Sequence, residues 1–197
     1  MNTVIIKYNS GNIQSVQFAL ERIGINAIVT DDTEQIKSAD KVIFPGVGEA
    51  SSAMRFLKER KLDELIVSLK QPVLGICLGM QLLCKYSEEN NTHCLGIFEN
   101  VIVRKFNATE ANLKIPQIGW NSISNLQSCL FNNIINDSYC YYVHGYYAEQ
   151  NENTIATTEY GVRYSGAIQK NNFYGVQFHP EKSAAVGEQI LKNFLAL

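Results

Sequence analysis

Residues 73–81 read Val73-Leu74-Gly75-Ile76-Cys77-Leu78-Gly79-Met80-Gln81, an apolar run whose cysteine has a glycine two positions away on each side. The run before the cysteine predicts a short buried parallel strand, and residues 78–86 predict the helix that follows it. Cys77 is therefore expected on a sharp strand-to-helix turn, which the glycines make possible. The N–H groups and the positive dipole end of that helix would favour the reactive thiolate. The segment thus predicts a nucleophilic cysteine.

A second motif, Phe178-His179-Pro180-Glu181, lies near the other end of the chain. The alternation of a strand would put His179 and Glu181 on one face, although Pro180 perturbs the backbone between them. A histidine oriented by a carboxylate is what a thiol nucleophile needs. A buried cysteine alone, or a His-Pro-Glu turn alone, is usually structural. Their occurrence in one chain favours a catalytic site.

The rest of the chain alternates strand-like runs with helical periodicity. The first half predicts strands at residues 3–8, 25–30, 41–44 and 73–76, and helices at 13–23 and from about residue 51. Strands that alternate with helices form βαβ units, and these predict a parallel sheet. The second half predicts strands at residues 101–105, 139–143, 154–158, 165–169 and 173–178, followed by a closing helix at 184–195. The fold class is therefore α/β.

Composition limits the kinds of function that fit the chain. Its 197 residues are 46% hydrophobic, which is enough for one domain, 1–197, with a substantial core. Seventeen basic and nineteen acidic residues give a net charge of −2 without a dense basic run. Neither a nucleic acid nor a membrane surface is therefore expected as a partner, and a small substrate is.

The cysteines and the first residues of the chain indicate the cellular compartment of the protein. The five cysteines have no spacing typical of a zinc site, so we expect free thiols and no metal. The first residues lack the basic region and long apolar stretch of a signal peptide, and no apolar run reaches the length of a membrane span. A cytoplasmic protein is expected.

Ligands of open parallel sheets bind beyond the carboxyl ends of the strands. The loop Pro45-Gly46-Val47-Gly48 follows a predicted strand, as Cys77 does. Gly46 and Gly48 permit backbone conformations that aim N–H groups at an oxyanion, beside the N–H of Leu78. Gly46, Val47 and Leu78 are accordingly the candidate oxyanion hole, although such a loop alone is equally typical of an ordinary turn.

These motifs resemble those of the class I glutamine amidotransferases over essentially the whole chain. Residues 75–81 are similar to the nucleophile motif of that family, and residues 179–181 to its base and orienting acid. The resemblance implies a flavodoxin-like fold of three layers, in which helices flank an open, mixed but mostly parallel sheet with a nucleophile elbow. It implies that Cys77, His179 and Glu181 hydrolyse L-glutamine to glutamate and ammonia through a cysteinyl thioester, without a cofactor.

The narrower resemblance is to the branch of the family that serves imidazole glycerol phosphate synthases in histidine biosynthesis. It is carried by the loop 45–48, by Pro116-Gln117-Ile118-Gly119-Trp120-Asn121, and by Glu181-Lys182-Ser183. It implies a heterodimer with a barrel-type cyclase subunit, which uses the ammonia to make imidazole glycerol phosphate and aminoimidazole carboxamide ribotide. Asn12, Trp120 and Lys182 match positions that face this partner in the family.

The resemblance also implies the residues that bind glutamine. From the residues alone, Glu89 would be a solvated surface carboxylate and His144 a strand histidine with satisfied nitrogens. The positions that match the family's glutamine site are Gly48, Gly79, Gln81, Glu89, His144, Gly145 and Tyr146.

The chain departs from the family's pattern at three positions. Lys7 and Asn9 stand where the family usually has an acidic residue and a glycine, and Gly145 where it has serine or threonine. The first two leave open a paralogous glutaminase subunit, one that supplies ammonia to a synthase acting on a nucleotide sugar. A non-catalytic binding protein on the same fold is the remaining alternative, which Cys77 and His179 disfavour.

Overall fold

The computed structural model describes residues 1–9, 11–107 and 113–197. Its strands, in chain order, are β1 (Thr3–Ile6), β2 (Ile28–Thr30), β3 (Lys41–Gly46), β4 (Val73–Cys77), β5 (Cys84–Ser87), β6 (Thr92–His93), β7 (Phe98–Lys105), β8 (Gln117–Ile123), β9 (Ser138–His144), β10 (Tyr146–Ala148), β11 (Thr154–Tyr160), β12 (Val162–Lys170) and β13 (Phe173–Val176). The helices are α1 (Ile13–Arg22), α2 (Thr33–Lys37), α3 (Ala50–Glu59), α4 (Leu62–Ser68), α5 (Leu78–Leu83) and α6 (Ala184–Leu195).

A seven-stranded sheet in the order β11-β12-β13-β4-β3-β1-β2 is the centre of the fold. The five strands from β13 to β2 are parallel, as expected of strands that crossover connections join. Strands β11 and β12 extend the sheet as an antiparallel edge. A four-stranded sheet, β10-β7-β5-β6, and the β8-β9 ribbon complete the β-structure that the described residues form.

The central strands are apolar on both faces, and each face has its own core. On β1, Val4 points into the core beneath α2, α3, α4 and α5, whereas Ile5 points into the core beneath α1 and α6. The same alternation recurs on β3, where Phe44 and Ile43 enter opposite cores. Continuous apolar runs are typical of strands that are covered on both sides. The three layers confirm the predicted fold class.

The helix after Cys77 is shorter than predicted. The sequence predicts a helix over residues 78–86, but α5 ends at Leu83, and the extended residues Cys84–Ser87 form β5. The apolar residues of this segment suit either structure, and pairing with β7 decides for the strand. Cys84, the first residue of β5, is fully buried in the core.

Other differences concern strand ends and pairing. The strand predicted at residues 173–178 ends at Val176, and residues 117–123, not predicted as a strand, form β8 against β9. All five cysteines are free thiols, as predicted. No helix among the described residues is long and apolar enough to cross a membrane.

Candidate active site

Cys77 occupies a strained turn between β4 and α5. Its backbone has φ 53° and ψ −109°, a combination outside the regions that non-glycine residues normally occupy. The turn is possible because both neighbouring glycines lie against backbone. A Cβ on Gly79 would lie 1.8 Å from the carbonyl oxygen of Phe44, and one on Gly75 would lie 2.8 Å from the backbone nitrogen of Met80. The elbow predicted from the sequence is present, and strain of this kind clusters at functional sites.

His179 and Glu181 come together where the chain leaves β13. Their contact joins Nδ1 of His179 to Oε1 of Glu181 at 2.7 Å. It forms because Pro180–Lys182 make a 3-10 turn, not the strand alternation considered from the sequence. Both side chains are fully buried, and Nε2 of His179 has no hydrogen-bond partner among the described residues. This nitrogen is the atom available for proton transfer.

The charge of His179 is tied to the sulfur of Cys77. Burial alone lowers the pKa of His179, but Cys77 and the Glu181 carboxylate outweigh it and raise that pKa to about 10. At neutral pH the histidine is therefore protonated when it faces a thiolate. The arrangement can hold a thiolate and an imidazolium side by side, which is a resting state suited to nucleophilic attack.

Asn12 also belongs to this hydrogen-bond network. Its Nδ2 donates to Oε1 of Glu181 at 2.5 Å and lies 3.3 Å from Nδ1 of His179. The backbone of Asn12 is left-handed, with φ 73°, where the chain enters α1. From the sequence, Asn12 was expected only at the partner interface. The structure also places its amide on the Glu181 carboxylate, which this bond helps to hold in position.

A cavity of about 240 Å³ opens beside Cys77. It lies at the carboxyl ends of β3 and β4, where open parallel sheets bind ligands. Its volume suits a small molecule rather than a polymer. The residues that line it are Val47, Gly48, Cys77, Leu78, Gln81, Glu89, Val143, His144, Gly145 and Tyr146.

The fold, the elbow and the buried His-Glu pair match one family. The profile of the glutamine amidotransferase class-I family covers residues 4–197. The chain belongs to the class I glutamine amidotransferases. The predicted fold class and the predicted enzyme class are thereby confirmed.

Three relatives that match nearly the whole chain carry one name. The imidazole glycerol phosphate synthase subunit HisH of Bacteroides fragilis is 54% identical over 197 residues, which cover 100% of both chains. The subunit of the same name from Bacteroides thetaiotaomicron is 50% identical, also over 100% of both chains. That of Haemophilus influenzae is 49% identical over 99% of this chain and 97% of its own.

Solved amidotransferase structures share the fold at much lower identity. A crystal structure of a glutamine amidotransferase superposes with a TM-score of 0.76 at 16% identity, covering 100% of this chain and 98% of the other. A glutamine amidotransferase from Thermotoga maritima gives 0.66 at 17% identity, covering 100% and 83%. At these identities the likeness concerns the fold alone.

Glu89 is the acidic group in the wall of the amidotransferase cavity. Its Oε2 accepts a hydrogen bond from the backbone N–H of Ala50, the first residue of α3, at 2.7 Å. Burial raises the pKa of Glu89; the bond from Ala50 lowers it, and the nearby Glu49 raises it further. A half-buried carboxylate can pair with an ammonium group, but it gains protons more readily than an exposed one.

Three glutamine-site candidates meet at the turn between β9 and β10. The carbonyl of Tyr146 accepts from Nδ1 of His144 at 2.6 Å and from Nε2 of Gln81 at 2.9 Å. Nε2 of His144 lies 3.3 Å from the hydroxyl of Tyr164, so both ring nitrogens have partners. Burial lowers the pKa of His144 to about 4, and the ring is neutral. His144 therefore shapes the cavity wall, and its contact with glutamine stays a prediction.

The glycine loop lies directly beside Cys77. Gly46 is paired in register with Cys77 between β3 and β4, and the hydroxyl of Tyr8 holds the preceding Pro45 carbonyl at 2.7 Å. Val47 and Gly48 line the cavity, whereas Gly46 and Gly79 lie behind it. The oxyanion role of the loop stays a prediction.

The predicted partner face is an exposed patch on the β8-β9 ribbon. Trp120 is 53% exposed, and its ring meets that of Tyr141 edge-on at 6.0 Å. The ammonium of Lys182 lies 5.9 Å above the same tyrosine ring. Ile118 and Tyr139 add further exposed apolar surface. The patch therefore runs from the ribbon to the turn that carries Glu181.

Sequence reasoning missed Gln177. It is fully buried, and its Nε2 lies 3.7 Å from Sγ of Cys77. Its position two residues before His179 was the only signal that could have singled it out.

Proposed function

We propose that this chain is the glutaminase subunit of an imidazole glycerol phosphate synthase, acting as a single domain in the cytoplasm. The observation that carries the proposal is the buried pair of His179 and Glu181 beside Cys77, at a cavity of about 240 Å³, in a chain 54% identical to a HisH subunit. The cavity accommodates an amino acid. The full-length similarity favours the histidine pathway over a synthase that acts on a nucleotide sugar.

The reaction begins with attack of the Cys77 thiolate on the side-chain carboxamide of glutamine. The N–H groups of Val47 and Leu78 hold the oxyanion of the tetrahedral intermediate. His179, already protonated beside the sulfur, gives its proton to the departing ammonia, and a thioester remains. His179 then takes a proton from water, which attacks the thioester and releases glutamate.

The wall of the cavity orients the substrate. Glu89 pairs with the α-ammonium group of glutamine, and Gln81 and the turn at Gly145 and Tyr146 hold its amino-acid end. Gly145 lacks a hydroxyl, so contacts there use the backbone. The chain itself supplies the nucleophile, the proton carrier and the oxyanion donors, and the proposed reaction uses no cofactor.

The ammonia passes to a barrel-type cyclase subunit bound at the exposed patch. Trp120 supplies an aromatic anchor of the kind that dominates interface energies. Lys182 supplies a cation for an acidic group of the partner and stands directly after Glu181. Asn12 connects this side of the molecule to the triad through its bond to Glu181.

The test is synthesis by the complex with the cyclase subunit, from glutamine or from an ammonium salt. Cys77→Ala is expected to abolish synthesis from glutamine and to leave synthesis from ammonia intact. Cys129→Ala, which removes an exposed thiol that does not line the cavity, is the matched control and is expected to keep both. Glutamine hydrolysis by Cys77→Ala at the wild-type rate contradicts the proposal. If the chain hydrolyses glutamine but the complex forms no imidazole glycerol phosphate, the nucleotide-sugar alternative is favoured instead.

A further inference from the structure

We propose that Gln177 is a positioning residue for the nucleophile: its carboxamide donates an N–H to the sulfur of Cys77, fixes the side chain for attack and favours the thiolate. The inference deepens the proposed function and rests on it. Gln177 follows β13, between the sheet and His179, and is fully buried. The distance of 3.7 Å from its Nε2 to Sγ is a hydrogen-bond distance for sulfur.

The orientation of the Gln177 amide is forced by its neighbours. A backbone carbonyl only accepts, so the atom of Gln81 that lies 2.9 Å from the Tyr146 oxygen must be its nitrogen. The same nitrogen lies 3.0 Å from the Gln177 amide, which must therefore present its oxygen. The amide nitrogen of Gln177 is then left facing the sulfur. A flipped amide would break this chain of bonds.

The other neighbours of the sulfur make this donor important. Sγ lies 3.8 Å from the carbonyl oxygen of Val143, which can accept a hydrogen bond from the thiol. A carbonyl oxygen cannot donate a hydrogen bond, so it does not stabilise the thiolate. The thiolate is stabilised instead by His179 and by the N–H of Gln177. Hydrogen bonds to charged groups are stronger than neutral ones, and burial strengthens them further. Gln177 thus favours the charged form of the nucleophile and adds no charge of its own.

The titratable groups around the sulfur allow a clean readout. Besides His179, these are His144 and Tyr164, which contact each other, and Glu181 behind His179. Burial lowers the pKa of His144 and raises that of Tyr164, so neither changes charge between about pH 5 and 9. Glu89, in the wall of the same cavity, has a raised pKa, but it is common to wild type and variants. A difference between their alkylation profiles therefore reports the sulfur and its histidine.

The experiment measures alkylation of Cys77 by iodoacetamide against pH in the full chain, by mass spectrometry of the peptides. In Gln177→Met, which keeps the length but removes the N–H, the pH of half-maximal alkylation is expected to rise by about one unit. Gln169→Met removes a comparable amide that bonds Tyr174 and Ser128 away from the sulfur, and its profile is expected to match wild type. In the complex with the cyclase, Gln177→Met is expected to lower kcat about tenfold with little change in KM.

Each outcome decides the proposal. Cys84, which is fully buried, reports folding because it resists alkylation in the native chain. If Gln177→Met exposes Cys84, the profile is measured in Gln177→Asn, which keeps an amide but is too short to reach the sulfur. An unchanged profile in the folded variant overturns the role of Gln177. Because alkylation needs no glutamine hydrolysis, a shifted profile in a protein without glutaminase activity leaves this inference standing and refutes the proposed function instead.

Discussion

The protonated state of His179 follows from what lies on each side of its ring. Glu181 contacts Nδ1 at 2.7 Å, and the sulfur of Cys77 acts on the opposite side, so the raised pKa results from negative charge at both ends. Nδ2 of Asn12 donates a second hydrogen bond to the same oxygen of Glu181 at 2.5 Å. The acid is thereby held in one position, and the ring with it.

Substitutions in this pair are expected to differ in severity. His179→Asn removes the proton carrier and is expected to lower kcat about 10² to 10⁴ fold. Glu181→Gln keeps a hydrogen-bond acceptor for the ring but loses the charge, and a smaller loss is expected. Steady-state glutamine hydrolysis by the complex measures both. Wild-type turnover by His179→Asn at saturating glutamine would rule out its role.

The pKa of Glu89 gives the binding of glutamine a pH dependence. Burial raises this pKa, so Glu89 loses its charge at a higher pH than an exposed carboxylate when the solution is acidified. The KM for glutamine is expected to rise as the pH falls from about 7 to 5, and Glu89→Gln is expected to raise KM and to remove this slope. KM is measured against pH in the complex.

The neighbouring Glu88 is a matched control. Its pKa is lowered by bonds from the Lys105 backbone and from Arg104, so it stays charged over the same range. Glu88→Gln is expected to keep the pH dependence of KM. If the KM of Glu89→Gln still depends on pH, another group is responsible for that dependence.

At the level of elements, α5 approaches β3 so closely that the two leave no room for a side chain between them. Gly79 brings its Cα against the carbonyl of Phe44, and Gly46 lies against the backbone nitrogen of Gly79. This contact aligns the glycine loop, the elbow and the first N–H of α5 on one cavity. The position of the candidate oxyanion hole is thus a property of helix-to-strand packing.

Gly79→Ala is expected to disturb both stability and turnover. Its Cβ would lie 1.8 Å from a backbone oxygen, so α5 must move away from β3. Overpacking of this kind typically costs about 1 to 3 kcal/mol, and a backbone clash belongs at the upper end. Urea unfolding and glutamine hydrolysis measure the two effects.

Gly24→Ala is the control that distinguishes the steric clash of Gly79→Ala from the loss of a glycine alone. Gly24 has φ 83°, and a Cβ added to it would have no atom within 4 Å, so only backbone strain of about 1 kcal/mol is expected. Its kcat is expected to match wild type. Equal stability of Gly79→Ala and wild type would contradict the packing argument.

At the scale of the whole molecule, the two faces of the sheet have different surroundings. The face covered by α1 and α6 also carries the β8-β9 ribbon with Trp120, whereas α4 covers the opposite face. The exposed patch therefore reaches the turn that carries Glu181, because Lys182, which lies over the Tyr141 ring, directly follows Glu181. A partner bound there can influence the cavity directly.

The isolated chain is expected to hydrolyse glutamine poorly and to gain activity when the cyclase binds. Trp120→Ala removes an exposed aromatic anchor and is expected to raise the cyclase concentration for half-maximal activation about 30-fold, the scale of an interface hot spot. Titration of glutaminase activity with cyclase measures this. Val67→Ala, a 46% exposed residue on α4, is the control and is expected to leave the titration unchanged. Full activity of the chain alone would refute partner control.

Features that depend on neighbouring residues could be predicted from the sequence alone. The apolar run before Cys77, with its flanking glycines, predicted the strand and the elbow, because a sharp turn against backbone requires residues without Cβ atoms. The alternation of strand-like and helical segments predicted the parallel sheet, because hydrophobic periodicity is also a property of neighbouring residues. The spacing of His179 and Glu181 predicted their pairing, though by strand alternation and not by the 3-10 turn that forms it.

Features that depend on which distant segments meet became visible in the folded molecule. Residues 84–87 became a strand because β7 offered a hydrogen-bonding edge, which no local pattern reveals. The amide of Asn12 reached Glu181 across 169 positions of the chain, and that of Gln177 reached Cys77 across 100. A buried amide must find a partner, but its sequence does not say which one, because that depends on how strands and helices pack. The donors that tune the nucleophile were therefore set by packing, and the nucleophile itself by the chain.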